Sequence, residues 1–283
     1  MNEAENIYLN RNEHYRAVLE VQTREDRFIE RVKREFSLHE ILRSNPILQH
    51  LRSIKEPEEI ELLQKACNIT EKGVRRLLSF VKPGVWEYEI EAELMHEFLR
   101  NRSKGFAYTP IIASGENANV LHYIANNMQC KDGDVILLDV GAEYANYSSD
   151  LTRMIPVNGK FTARQKEIYN AVLDMKNFAT SLLVPGNNWY DYHKECGEFY
   201  TSKFLELGLL DKADVQNQDK NWPAYKKYMM HGTSHHLGLD THDYGILKDK
   251  FVENMVFTVE PGIYLPAEGF GVRIEDDLVI QSS

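Results

Sequence analysis

Five ionisable side chains stand where an apolar chain should not carry them. Asp139 interrupts the strand-like run VILLDV (135–140), and Asp150 follows it within LLDVGAEYANYSSDLTR (137–153). His235 lies in HGTSHHLGLDTHD (231–243), Glu260 ends MVFTVE (255–260), and Glu275 sits in GVRIEDD (271–277). Burying a carboxylate without a cation costs several kcal/mol, so four of them in one fold require compensation. A pair of divalent metals would supply it, and one imidazole beside four carboxylates suits Mn2+, Co2+ or Zn2+.

The spacing arranges these residues as two hairpins and a loop. VILLDV is continuous, apolar and β-rich, the mark of a buried strand. A short polar turn near Tyr144–Asn146 leads to a second strand ending near Val157. A turn centred there sets Asp139 opposite Asp150, with both carboxylates on one face. MVFTVE is another apolar strand, PGIYLPAEGFG (261–271) a turn-rich connection, and VRIEDDLVI (272–280) the return, which sets Glu260 across from Glu275. Two ββ units, each with a carboxylate pair, read as a duplication of architecture around one site. Each block alone has a plainer reading. An Asp in an apolar strand can be half of a buried salt bridge, Glu-Pro-Gly can be only a turn, Arg273-Ile274-Glu275 can be a half-exposed strand, and His235 can be structural. Their joint occurrence in hairpin contexts favours the metal site.

Helical periodicity fills the rest. Residues 1–52 form a charged segment in which 11–36 reads as helix, followed by an apolar face around Asn45-Pro46. An amphipathic helix over 53–84 is entered at Glu56-Pro57 and ended by Pro83-Gly84. Further helices read over 86–102, 163–186 and 189–210, a strand–loop–strand over 106–123, and a surface loop over 211–228. The order supports two similar halves with helices outside a curved, mostly antiparallel sheet.

A formal charge of −10 and the lack of a basic stripe argue against a nucleic-acid partner. Cys67, Cys130 and Cys196 are scattered, which suits free thiols in a reducing cytosol and hence a cytoplasmic location. The N-terminus has no apolar signal core, and no run approaches the length of a membrane span.

These blocks resemble the metallopeptidases of the pita-bread fold, in particular aminopeptidase P and prolidase (Xaa-Pro dipeptidase). The resemblance runs from about Ser53 to Ser283. HGTSHHLGLDTHD fits the family form His-Gly-x-x-His-x-x-Gly-x-x-x-His-Asp, and residues 150–175 look like aminopeptidase P rather than methionine aminopeptidase. Creatinase shares the fold without metals but lacks the ligand set kept here. The resemblance implies an α+β pita-bread (creatinase/aminopeptidase-like) domain over 53–283, with 1–52 a helical segment or the remnant of an N-terminal domain. It also implies two divalent ions, Mn2+ first, held by Asp139, Asp150, His235, Glu260 and Glu275, with Asp150 and Glu275 bridging.

In that reading Glu260 also takes the proton of the attacking water, His242 faces the oxyanion, and His122 lies near the leaving nitrogen. His231 walls the proline ring, and Tyr264 and Arg273 orient Glu260 and Asp150. The implied activity is hydrolysis of the Xaa-Pro bond at a peptide N-terminus or in a dipeptide, by a homodimer or higher homo-oligomer. Another hydrolase specificity on this fold, or a non-catalytic binding protein, remains open. Relatives carry a further domain ahead of the 53–84 helix, where residues 1–52 stand here. The expectation is therefore a catalytic portion with a complete metal site and weakened substrate selection.

Overall fold

The computed structural model describes residues 4–11 and 21–281. The chain forms two compact units, Met1–Arg52 and Ser53–Ser283. In the first, β1 (Asn6–Leu9) pairs in parallel with β2 (Glu40–Arg43), joined through α1 (Arg24–Glu35), and α2 (Asn45–Ser53) follows. Thr23 starts α1, its hydroxyl accepting from Asp26 N while the Asp26 carboxylate accepts from Thr23 N. The helix read over 11–36 is thus found over Arg24–Glu35, and residues 12–20 of that reading lie outside the described residues. The strand pair was not foreseen, because four-residue strands are too short for a periodicity signal.

The second unit is built on two long hairpins, each interrupted near its middle. β5 (Val135–Val140) pairs with β8 (Leu151–Pro156), and β6 (Ala142–Tyr144) with β7 (Tyr147–Ser148), in one continuous register. The turn residues Ala145 and Asn146 both have positive φ, the two-residue turn that matches strand twist. β9 (Val256–Val259) pairs with β12 (Asp276–Val279), and β10 (Gly262–Leu265) with β11 (Phe270–Arg273), again in one register. The stretch 261–271, read as a turn-rich connection, is therefore mostly the inner half of the second hairpin. Backbone bonds join the two hairpins where Glu275 N donates to Thr152 O.

β4 (Ile111–Ser114) completes a β4-β5-β8 sheet buried on both faces. This is why VILLDV carries no polar alternation. Ile136, Leu138 and Val140 pack in a core with α3 (Pro57–Phe80) and α4 (Glu87–Arg100). Val135 and Leu137 join the larger core with α5 (Ala163–Leu182), α6 (Trp189–Glu206) and the second hairpin. Asp139 shares the parity of Leu137 and so faces that second side. Pro57 opens α3 and Glu59 caps the Glu56 amide at 2.8 Å. Thr162 and Asn188 cap α5 and α6 through side-chain oxygens.

Two readings differ from the structure. β3 (Gly105–Phe106) and β4 are followed by a 3-10 turn at Gly115–Asn119 and irregular chain, not by the second strand expected before Tyr123. The backbone there bonds to side chains of α4 instead of to a neighbouring strand. The loop read over 211–228 contains a short α7 (Lys212–Gln216), capped by Asp211, and a 3-10 turn at Ala224–Lys227. The three cysteines are free. Among the described residues no helix is long and apolar enough to cross a membrane.

Gly141 occupies the break in the first hairpin. A Cβ there would stand 1.8 Å from Ser149 O and 2.9 Å from the Tyr108 ring, so the strands close only over glycine. Gly141→Ala is expected to cost at least about 2 kcal/mol, within or above the usual overpacking range. Urea denaturation followed by circular dichroism measures this, and an unchanged midpoint would contradict the packing argument.

Candidate metal centre

The breaks in the two hairpins bring the acidic residues together. Register pairs Asp139 with Thr152, so Asp150 is its diagonal neighbour on the same face rather than its direct opposite as the sequence suggested. In the second hairpin Asp276 pairs with Val259, and one step further sets Glu260 opposite Glu275, as read. His235 rides on an extended segment alongside β9. Thr258 N donates to His235 O at 3.0 Å, and Glu260 N to Thr233 O at 2.8 Å.

Ligand atoms of Asp150, His235 and Glu275 all lie within 4.8 Å of one another. His235 Nε2 stands 3.5 Å from Asp150 Oδ2 and 3.7 Å from Glu260 Oε1. Its Nδ1 contacts the His236 carbonyl at 3.0 Å. That carbonyl only accepts, so Nδ1 carries a proton and Nε2 is the ring atom turned to the carboxylate side. Tyr108 Oη lies 2.6 Å from both Asp139 Oδ1 and Asp150 Oδ1, linking the fourth carboxylate to the group.

The electrostatics are those of a cluster short of cations. Burial raises the Asp150 carboxyl against the opposing pull of His235. Burial, then the charges of Asp150, Glu260 and Asp139, raise Glu275 well above the usual carboxylate range. Glu260 is pushed up to about 7 by burial, although His235 and Arg273 oppose it. Burial disfavours a charge on His235, yet Asp150 and Glu260 prevail and push it up to about 9. A mixed nitrogen and carboxylate donor set brought together by the fold fits divalent metal. Asp150, His235 and Glu275 form its centre, with Asp139 and Glu260 at its flanks.

The surrounding residues correct part of the sequence reading. Arg273 does not orient Glu260 or Asp150 by direct contact. Its Nη2 pairs with Asp139, its Nε donates to Thr152 Oγ1 at 3.2 Å, and its Nη1 donates to Tyr264 Oη at 2.7 Å. Tyr264 does not touch those carboxylates either; its hydroxyl meets His231 Nε2 at 2.7 Å. His231 Nδ1 contacts Gly232 O at 2.8 Å, so the proton is on Nδ1 and Tyr264 donates to Nε2. Burial and the nearby Arg273 push His231 down to about 3, so the ring is neutral.

The His242 ring lies 4.1 Å from that of His235, with its outer side open to solvent. Desolvation of its inner side, then the charge of His235, push it down to about 4. His122, exposed on the segment after β4, is close enough to influence both His231 and His242.

Three participants went unread in the sequence. Thr152, opposite Asp139, donates to Glu275 Oε2 at 2.6 Å and so ties the hairpins together. Asp277 Oδ2 accepts from Asp150 N at 3.0 Å and from the Cys67 thiol at 3.2 Å. Burial and the Asp150 charge push Asp277 up to about 8. The third is Tyr108, whose only cue was its place between a glycine-led turn and an apolar strand. IEDDL did carry a cue for Asp277, a third acid beside Glu275, but a strand end commonly bears one.

The profile of metallopeptidase family M24 matches residues 61–282. The chain is similar to Xaa-Pro aminopeptidase of Haemophilus influenzae, 42% identical over 275 residues, covering 93% of this chain and 63% of the relative. It is also similar to Xaa-Pro aminopeptidase of Escherichia coli, 40% identical over 247 residues, covering 83% of this chain and 56% of the relative. Among solved structures, zinc-substituted E. coli aminopeptidase P in complex with product aligns with a TM-score of 0.83 at 33% identity, covering 98% of this chain and 66% of that one. Proline aminopeptidase P II from Yersinia pestis gives 0.82 at 32% identity, with the same coverage of 98% and 66%. The chain thus spans under two thirds of the length of these relatives.

The electrostatics set a pH response for the metal-free protein. Glu260, Asp277 and His235 have folded pKa values of about 7, 8 and 9, each above the unfolded value. Their stabilisation is full below the unfolded values and is lost as pH rises through the folded ones. Histidines 193, 231, 236 and 242, held low by burial, act the other way only below about pH 6.5. The melting temperature of chelator-treated protein should therefore fall between about pH 6.5 and 8.5, and saturating Mn2+ should remove the fall. A flat or rising profile without metal would contradict the cluster's electrostatics.

Proposed function

This chain belongs to metallopeptidase family M24, and we propose that it is a dinuclear-metal exopeptidase cleaving the Xaa-Pro bond at the N-terminus of peptides. The observation that carries this reading is the convergence of four carboxylates and His235 Nε2 at the breaks of two hairpins. Asp150 and Glu275 would hold both ions, Asp139 would complete one, and His235 with Glu260 the other. Mn2+ is the first candidate and Co2+ or Zn2+ the next, since each accepts imidazole among carboxylates. When bound, the ions would polarise the scissile carbonyl and bring the attacking water into the range of a neutral-pH nucleophile.

The chain's own residues supply the rest. Glu260 turns Oε1 toward His235 and Oε2 toward His231, at 3.7 and 3.8 Å, so one oxygen is available to take a proton from water. That proton goes on to the departing proline nitrogen, with His122 beside it. His242 is neutral near pH 7, and its ring N–H can donate to the developing oxyanion. Asp139 is fixed by Arg273 and Tyr108, which limits reorganisation during the reaction. An Xaa-Pro bond is a tertiary amide without an N–H, so recognition must come from the shape of the ring. His231, uncharged and pinned by Tyr264, provides an immobile flat wall for it.

An Xaa-Pro dipeptidase is the second reading, favoured by 34% identity to mouse Xaa-Pro dipeptidase over 286 residues. We also infer a cytoplasmic enzyme acting as a homodimer or higher homo-oligomer, the first supported by its three free thiols.

Hydrolysis of Xaa-Pro-Yaa tripeptides against Xaa-Pro dipeptides after Mn2+ loading tests the activity. Preference for the tripeptide is expected, and cleavage of neither would reject the function. Elemental analysis of the loaded protein should give about two ions per chain; saturation at one would remove the dinuclear mechanism. His242→Ala should lower kcat about 10²-fold with metal content intact. Asp150→Ala should lose metal and turnover together.

A further inference from the structure

His122 lies between β4 and β5, on chain that is not itself a strand. What fixes that chain is α4. Glu87, its first residue, is wholly buried. Its Oε1 accepts from Ser114 N at 2.8 Å and from Asn117 Nδ2 at 3.1 Å. Its Oε2 accepts from Tyr123 Oη at 2.7 Å and from Met128 N at 2.9 Å. These donors come from the start, the middle and the end of the segment, and Tyr123 is the residue next to His122. Four donors use the full acceptor capacity of one carboxylate, and the start of the α4 helix adds its positive dipole end.

A second contact set, one helical turn along, works in parallel. Glu91 Oε2 accepts from Asn126 Nδ2 at 3.0 Å, and the same amide donates to Pro110 O at 2.9 Å while accepting from Ile112 N at 3.1 Å. Pro110 is two residues from Tyr108, which touches Asp139 and Asp150. The far side of the segment lies on β11, the strand of Arg273. A Cβ on Gly271 would stand 2.8 Å from Ala118 O. The segment is thus held between α4 and the inner hairpin, with His122 at its turn.

We propose that Glu87 is a positioning residue that fixes the place of His122, by gathering the amides and hydroxyl of 114–128 onto one buried carboxylate. The proposal rests on the reading of His122 as a group that assists the peptidase reaction. Glu87 itself touches neither substrate nor metal ligands. The chemistry requires an acid at this position. A glutamine would turn an NH2 toward either Ser114 N–H and Asn117 or Met128 N–H and Tyr123, leaving a buried backbone donor unpaired.

The test is a double-mutant cycle on the Mn2+-loaded full chain. Glu87→Gln should lower kcat/KM about 10- to 100-fold, as a displacement of about 1 Å in a reacting group does, with metal content unchanged. In a His122→Ala background the same substitution should cost less than about threefold, because the group it positions is gone. Equal losses in both backgrounds would mark Glu87 as merely structural and overturn the proposal. So would a loss of less than about twofold in the first.

Hydrogen exchange gives a readout that needs no activity. The amides of Ser114 and Met128 should exchange at least about tenfold faster in Glu87→Gln, and unchanged protection would overturn the proposal. If Glu87→Gln does not fold, Tyr123→Phe removes a single bond and should show a smaller loss with the same non-additivity. If the unaltered chain cleaves no Xaa-Pro peptide, the proposed function fails, and the exchange rates decide on Glu87 alone.

Discussion

Repulsion among carboxylates in a poorly solvated interior is the constraint on which the unit Ser53–Ser283 turns. Beyond burial, the charges of Asp139 and Asp150 raise the carboxyls of Glu260 and Glu275, Asp139 raises Asp150, and Asp150 raises Asp277, while the Arg273 guanidinium reaches into the group. Arg273, even together with a protonated His235, cannot balance that many acids. The cluster must hold protons or import positive charge. The hairpins keep the acids from moving apart. Asp139 and Asp277 sit within ladders, and Asp150, Glu260 and Glu275 flank breaks whose strands resume in the same register. The energy of folding elsewhere, in two cores on either side of β5, holds together a site that repels itself.

That arrangement explains which parts of the molecule were legible in the sequence. An acid inside an apolar strand contradicts its surroundings, and such contradictions concentrate at functional sites. Asp139, Asp150, Glu260 and Glu275 were legible for that reason, and the structure brings them together with His235. The major helices were legible because they present one apolar face and carry caps, as at Thr162 and Asn188. Register was legible only to within a step. The turn was read near Tyr144–Asn146 and lies at Ala145-Asn146, and this two-residue turn pairs Asp139 with Thr152 and leaves Asp150 diagonal.

Other features had no local signal. Tyr108 and Thr152 are ordinary residues for a loop and a strand, and their roles depend on neighbours far along the chain, 123 residues away for the Thr152–Glu275 bond. Arg273 pairs with Asp139, 134 residues distant, a choice that spacing cannot encode. Glu87 is an acid in the first turn of a helix, a place favourable on any surface, so nothing local marks it. Its burial, and hence its importance, arises only when 114–128 folds over it.

The carboxylates and the histidines are held by different means, and this follows from what each has to do. The clustered acids must stay fixed against repulsion, so they stand on or beside hydrogen-bonded ladders. His122 and His242 stand instead on irregular, solvent-exposed chain. Irregular backbone has amides and carbonyls that no strand satisfies, so each segment is anchored on a buried acid. Glu87 serves the first. Asp243 serves the second: it accepts from Tyr244 N at 2.7 Å and pairs with Lys55 at 3.7 Å, both charged side chains being only 1% exposed. Gly238 completes that packing, since a Cβ there would stand 2.0 Å from the Asp243 carboxylate. Rigid strands could have carried these histidines only by closing the site. Side-chain anchors let the loops remain loops and still present a ring at a defined place.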